Sequence, residues 1–229
     1  VFSENKAEIM QSAENALKRA GRTDTVQLLA VSKTFPASSI EEAYKAGHRI
    51  FGENKIQEAL EKIENLKHLE DIEFHFIGHL QTNKVKYLKS NFSLLHSVDR
   101  PSLLHELEKH FSREGRVQDI LIQVNIALDP AKSGVEPSGV EELLKQAGEC
   151  KHLRVLGFTM MPPLTDDEEK NRVHFKNTRE LMEDMKFKVK KDNINLHILS
   201  MGMSDDFEIA IEEGSTLIRI GTALFGGRK

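Results

Sequence analysis

The sequence predicts a single (β/α)8 barrel, an α/β fold, with one additional helix at its start, and three observations carry that prediction. Eight short apolar runs alternate with amphipathic stretches. The whole fits within 229 residues, near the roughly 250 typical of such barrels. Polar residues gather at the C-terminal ends of the runs. Alternation points to a parallel sheet, because each parallel return needs a crossover that a helix supplies. An open, doubly wound sheet alternates too, but it usually carries a glycine-rich turn after its first strand. Here that turn reads Lys33-Thr34-Phe35-Pro36, with no glycine.

The opening helix is expected from Lys6 to Ala20, with Ile9, Ala13 and Leu17 at four-residue spacing and a stop at Gly21. Strands are expected at Val26 to Ser32, Arg49 to Gly52, Glu73 to Gly78, Leu94 to Val98, Ile120 to Asn125, Arg154 to Thr159, Asn195 to Ser200 and Thr216 to Gly221. Between them the spacing predicts helices over Ser38 to Ala46, Lys55 to Leu66, Thr82 to Leu88, Pro101 to Arg113, Pro137 to Glu149, Asp167 to Lys186 and Ser204 to Glu213, with a short last helix from about Thr222. Asn54 is placed to cap the helix after it, Gln57 completing a capping box, and Ser204 to cap its own helix with Asp205 and Asp206 in the first turn. No linker rich in Pro, Gly or Ser divides the elements, so residues 1–229 read as one domain.

A formal net charge of −4 with both signs interleaved offers no basic stripe for nucleic acid and no polybasic arm for membranes. No apolar run approaches the roughly 18 residues of a spanning helix. The start, Val1-Phe2-Ser3-Glu4, lacks a signal-peptide pattern, and the absence of an initiator Met suggests a trimmed start. The expectation is a cytoplasmic protein. Cys150 stands alone, so neither an internal disulfide nor a Cys/His metal site is expected.

Lys33, Asn54, His79, Asp99, Asn125, Thr159, Ser200 and Arg219 all follow or finish a strand, which in a parallel barrel places them around one mouth. Alternation puts Leu29, Val31 and Lys33 on one face of the first strand, and Leu217, Arg219 and Gly221 on one face of the last. A guanidinium turned outward would lie dry beneath the helices, so Arg219 is expected to point into the barrel, with Lys33 facing it from the adjacent strand. On position alone Lys33 reads as a residue that snorkels to water from a strand end; the competing reading is an ammonium that loses hydration at the tip of a buried strand, which would bring a lysine down from about 10.4 toward neutrality. A neutral lysine amine forms Schiff bases with carbonyl compounds. Ser200-Met201-Gly202-Met203-Ser204 and Gly221-Thr222-Ala223 are small strand-to-helix turns that expose backbone N–H groups where barrels often hold phosphate. For the glycines a plain tight turn is the competing reading. His75 reads as a hydrogen-bonded structural histidine, and Lys132 as a solvated loop residue.

At these residues the chain closely resembles the pyridoxal phosphate homeostasis proteins, a family that binds pyridoxal 5'-phosphate (PLP). The matching stretches are Leu28 to Thr34, Phe51-Gly52-Glu53-Asn54, His75 to Lys84, Ser97-Val98-Asp99, Leu199 to Phe207 and Arg219 to Gly226. The resemblance implies a barrel like the PLP-binding domain of alanine racemase, with Lys33 bonded covalently to the cofactor aldehyde. It implies that Arg219 faces the pyridine nitrogen and that Ser200, Met201, Gly221 and Thr222 surround the phosphate; Asn54, at a strand end that also faces the mouth, joins them as a cofactor-binding candidate by its position. The chain departs from its relatives at Gly157-Phe158-Thr159-Met160-Met161, where Leu-Met-Thr more usually follows the glycine, and the loop Ala127 to Lys132 is less typical.

An arginine at the pyridine nitrogen can only donate, which leaves the ring a poor electron sink. The resembled racemases add a tyrosine from a further β-domain, whereas Tyr44 and Tyr87 here fall within outer helices. The expectation is a PLP carrier without strong catalytic activity, a monomer or weak dimer, releasing its cargo by transimination to apo-enzymes or free amino acids. The alternatives are a racemase-like or aldolase-like enzyme completed by a partner, and a barrel that binds a phosphorylated metabolite without a covalent bond.

Overall fold

Eight short strands rich in Val, Ile, Leu and Phe pair in chain order, all parallel, and the last pairs with the first to close a barrel. The computed structural model describes residues 1–88, 91–163 and 167–226. Helix α1 (Phe2–Arg19) precedes β1 (Gln27–Val31), α2 (Ala37–Lys45), β2 (Ile50–Glu53), α3 (Ile56–Asn65) and β3 (Glu73–Phe76). A 3-10 helix (Thr82–Tyr87) leads to β4 (Leu94–Val98), α4 (Pro101–Glu114), β5 (Gln118–Gln123), α5 (Pro137–Gly148) and β6 (Leu153–Thr159). The chain finishes with α6 (Glu168–Lys188), β7 (Ile194–Ser200), α7 (Phe207–Glu212), β8 (Leu217–Ile220) and α8 (Thr222–Phe225). This is the expected fold, with the expected extra helix in front.

Period two along each strand sorts the apolar residues into two layers. Ala30, Phe51, Phe74, Phe76, Ile120, Ile122, Phe158, Leu199, Ile218 and Ile220 belong to the large cluster shared with the helices. Leu29, Leu94, Leu121 and Leu217 are equally buried but stand apart from that cluster, on the opposite strand faces that fill the barrel. Phe158, within the atypical Gly157–Met161 stretch, is therefore a helix-side core residue, and it is Thr159 that turns inward.

Three local expectations are corrected. The crossover after β3 is a 3-10 helix instead of an α-helix. Lys55, not Asn54, occupies the N-cap position of α3, and no side chain caps that helix, so the capping box does not form. Helix α7 begins three residues later than expected. Ser204 falls in the preceding turn and Asp206 takes the N-cap position, its Oδ1 accepting from the Met203 N–H at 2.6 Å.

Helix α1 braces the seam where the barrel closes. Asn5 donates to the Leu224 carbonyl at 3.0 Å, Arg19 pairs with Glu208 and Glu212, and Arg22 donates to the Ile211 and Ser215 carbonyls. No helix among the described residues is long and apolar enough to cross a membrane.

Candidate functional site

The C-terminal ends of β1, β7 and β8 meet at one mouth. Leu29 lies level with Arg219 in the β1–β8 pairing, and Arg219 points into the barrel as its alternation with Leu217 requires. Its Nη1 donates to the Ser200 carbonyl at 2.5 Å, to Ser200 Oγ at 2.8 Å and to Thr159 Oγ1 at 3.2 Å, while Nη2 donates to the Met160 carbonyl at 2.9 Å. Nε makes no hydrogen bond to any described residue. Burial pulls the guanidinium down to about 10, with the Asp206 carboxylate opposing the shift. At neutral pH it remains a charged donor.

Beneath it runs a polar chain. Ser200 Oγ lies 3.1 Å from His96 Nδ1, and His96 Nε2 lies 3.1 Å from His75 Nδ1. Arg219 can only donate, so Ser200 Oγ accepts from it, and the hydroxyl proton is then available to His96 Nδ1, with His96 Nε2–H donating to His75 Nδ1. Burial holds both imidazoles in the neutral form, His75 down to about 4 and His96 well below its ordinary value. His75 is thus a hydrogen-bonded interior residue, as read from sequence. His96 was not singled out. Its inward register with Leu94 on β4 was readable, but its partners on β3 and β7 are set by barrel closure.

Lys33 is not buried. Strand β1 ends at Val31, and a turn closed by the Phe35 N–H on the Ser32 carbonyl lifts Lys33 past the last strand pairing into an exposed position. Lys33 thus reaches water from the strand end instead of standing at a dry tip. The residues flanking Lys33 are held from below. Lys62, on α3 and buried, donates to the Ser32 carbonyl at 2.9 Å, to Glu53 Oε1 at 2.8 Å and to Glu58 Oε1 at 2.8 Å. Glu53 Oε1 also accepts from Ser32 Oγ at 2.6 Å, and Glu58 Oε1 accepts from the Thr34 N–H at 2.8 Å. Burial raises the Glu53 carboxyl against the lowering pull of Lys62 and Ser32, while the Lys62 bond lowers that of Glu58. Sequence spacing reads Glu58 and Lys62 as a surface i,i+4 pair, and so misses this cluster.

The loop after β7 is tied to strand β8 by the Arg219 N–H on the Gly202 carbonyl at 3.0 Å. Gly202 has φ +95°, and a Cβ there would stand 2.7 Å from Ala210 Cβ and 2.9 Å from Phe207 Cα. Phe35 stacks on Phe225 at 4.8 Å, which sets the Lys33 turn against α8. Gly221 and the exposed Thr222 begin α8, whose first N–H groups have no carbonyl partner within the helix. Ser200 and Met201, expected beside the phosphate, finish β7 and begin the loop after it. The Ser200 hydroxyl is engaged by Arg219 and His96, and the Met201 N–H is bonded to the Leu217 carbonyl at 3.2 Å with its side chain buried.

On the far side of the mouth a cavity of about 440 Å³ is lined by Asn54, Lys55, Gln57, Glu58, His79 and Lys84 among others. Asn54 Oδ1 is buried without a partner. The β5–α5 loop reaches across to this side, with Ser133 Oγ 3.3 Å from His79 Nδ1. Among the described residues no three His, Cys, Asp or Glu side chains gather as a metal site.

The barrel falls within a known class of protein. The family described as alanine racemase, N-terminal domain, matches residues 7–229. The structure of alanine racemase from Corynebacterium glutamicum shares the fold, with a TM-score of 0.63 at 16% identity, over 95% of this chain and 60% of that one. Nearer relatives define the branch. The pyridoxal phosphate homeostasis proteins of Aquifex aeolicus and Pseudomonas aeruginosa are 45% and 40% identical, each over 99% of this chain, and 98% and 96% of the relative. The structure of PipY from Synechococcus elongatus with PLP bound is 34% identical with a TM-score of 0.86, over 99% of this chain and 100% of that one. The chain belongs to the pyridoxal phosphate homeostasis protein family.

Proposed function

We propose that this protein binds PLP as a carrier in PLP homeostasis, with Lys33 holding the aldehyde as a Schiff base and releasing it by transimination to apo-enzymes or free amino acids. The observation that carries the reading is the fixed Arg219 guanidinium with Nε left free, inside the strand next to the one that presents Lys33. The residues fit the cofactor. An exposed amine, a buried donor with a spare N–H, and unpaired backbone N–H groups at Gly221 and Thr222 match an aldehyde, a ring nitrogen and a phosphate respectively. When bound, PLP supplies an electrophilic carbonyl and a ring able to draw electrons from it.

The same residues argue for storage over turnover. Arg219 keeps its proton at neutral pH and would donate to a ring nitrogen held against it without transferring that proton, which would leave the ring a weak electron sink. Neither tyrosine is placed to serve as an opposing acid or base at the mouth. The Tyr44 hydroxyl bonds to the Glu70 carbonyl and Asp71 at the opposite end of the barrel, and Tyr87 is exposed on the 3-10 helix. Asn54 and the loops after β7 and β8 shape the entrance, and no step is required of Ser200 or Met201 beyond holding Arg219 and the wall.

The test is transfer. PLP-loaded protein mixed with an apo-enzyme or an amino acid should pass its cargo on, and Lys33→Ala protein should bind PLP without a covalent species. Exchange of amino-acid α-protons at turnover-like rates by the loaded protein would contradict the carrier reading and favour a racemase-like enzyme.

A further inference from the structure

We infer that the buried Glu53 and Lys62 and the half-buried Glu58 form a clamp that positions Lys33 for bond formation with the aldehyde, a role resting on the PLP reading above. Lys62 spends all three of its N–H donors on this cluster, and two of the three acceptors belong to carboxylates. Its partners grip both neighbours of Lys33 and leave Lys33 itself untouched. Ser32 is held through its carbonyl and its hydroxyl, and Thr34 through its N–H. Thr34 needs that grip, because its φ of +68° is a conformation that a β-branched residue adopts only when its surroundings impose it. A buried lysine between two carboxylates is a costly way merely to support a strand end, since a hydrophobic replacement often serves stability as well.

The step served is a condensation. The Lys33 amine lone pair attacks the aldehyde carbon, the C–N bond forms, and after proton transfers the carbonyl oxygen leaves as water. Its rate depends on how often the amine lies on the approach line, and a fixed turn raises that frequency. Glu53, Glu58 and Lys62 touch neither the amine nor the aldehyde in this scheme, so they are positioning residues.

Lys62→Met strips two carboxylates of their cation and endangers the fold, so the sharper variants are at the partly exposed Glu58. Glu58→Ala removes the acceptor for the Thr34 N–H, whereas Glu58→Gln keeps an oxygen there. The measurements are the rate and extent of borohydride-trapped adduct at Lys33 with PLP, and the binding of pyridoxine 5'-phosphate, which has the ring and phosphate but no aldehyde. Glu58→Ala should lower adduct formation about tenfold or more, and Glu58→Gln should restore it to within about threefold. Binding of pyridoxine 5'-phosphate should be the same in all three proteins. Equal adduct formation in Glu58→Ala and parent, or parallel weakening of pyridoxine 5'-phosphate, would overturn the clamp. Absence of label at Lys33 in the parent protein would instead overturn the PLP reading, before any variant is compared.

Discussion

A guanidinium inside a barrel must find acceptors for the protons it brings, and Arg219 finds them in Ser200, Thr159 and Met160. Ser200 is the pivot, because its hydroxyl joins the cation to the two neutral histidines. Ser200→Ala would leave His96 Nδ1 buried without a donor and Arg219 with one acceptor fewer, for a loss of about 1–3 kcal/mol of stability in denaturant unfolding. An unchanged midpoint would show that the chain is not satisfied in this way. The same residues mark where reading from sequence reached and where it stopped. Arg219 was legible because a charge has only one tolerable face on a barrel strand. The exposure of Lys33 was legible only as one of two readings, a lysine reaching water from a strand end, since the alternation that places Val31 inward ends with the strand and the turn obeys its own hydrogen bonds. The Lys62 cluster was hidden by a spacing that on most helices describes a solvated pair.

Element order was the most legible feature, because each of the eight strands appears as a short apolar run bounded by helical period. Helix starts were less so. Asn54 and Ser204 carry the right side chains for capping, yet the chain leaves the barrel rim at angles that put Lys55 and Asp206 at the caps instead. The loop between β7 and α7 depends on a left-handed glycine, and Gly202→Ala would add both an unfavourable φ and a 2.7 Å contact with Ala210. The expected outcome is a loss of about 1–3 kcal/mol, together with weakened binding of inorganic phosphate or pyridoxine 5'-phosphate by this loop and its neighbour after β8. Retention of full phosphate affinity in a protein of lowered melting temperature would separate the loop from the site.

Across the molecule, three buried histidines tie stability to pH. His48 and His75 are pushed down to about 4 by burial from an ordinary 6.5, and burial holds His96 well below that ordinary value too. Between pH 6.5 and 4 the unfolded chain binds protons at these rings and the native chain does not, so stability is full above that window and falls as pH falls through it. Each ring contributes a slope of up to about 1.4 kcal/mol per pH unit. Glu53 and Asp206, whose carboxyls burial raises, act with the opposite sign just above their ordinary values and blunt the lower part of the slope. Urea unfolding at pH 7 and pH 5 should show the lower midpoint at pH 5, and His48→Asn should shrink the difference; a midpoint that rises on acidification would refute it.

The proposal as a whole rests on one covalent attachment. Protein loaded with PLP, reduced with borohydride, digested and mapped by mass spectrometry should carry the pyridoxyl group on the peptide containing Lys33, and Lys33→Ala protein should carry none. Label on another lysine of the parent protein, or label that survives the substitution, would contradict the account.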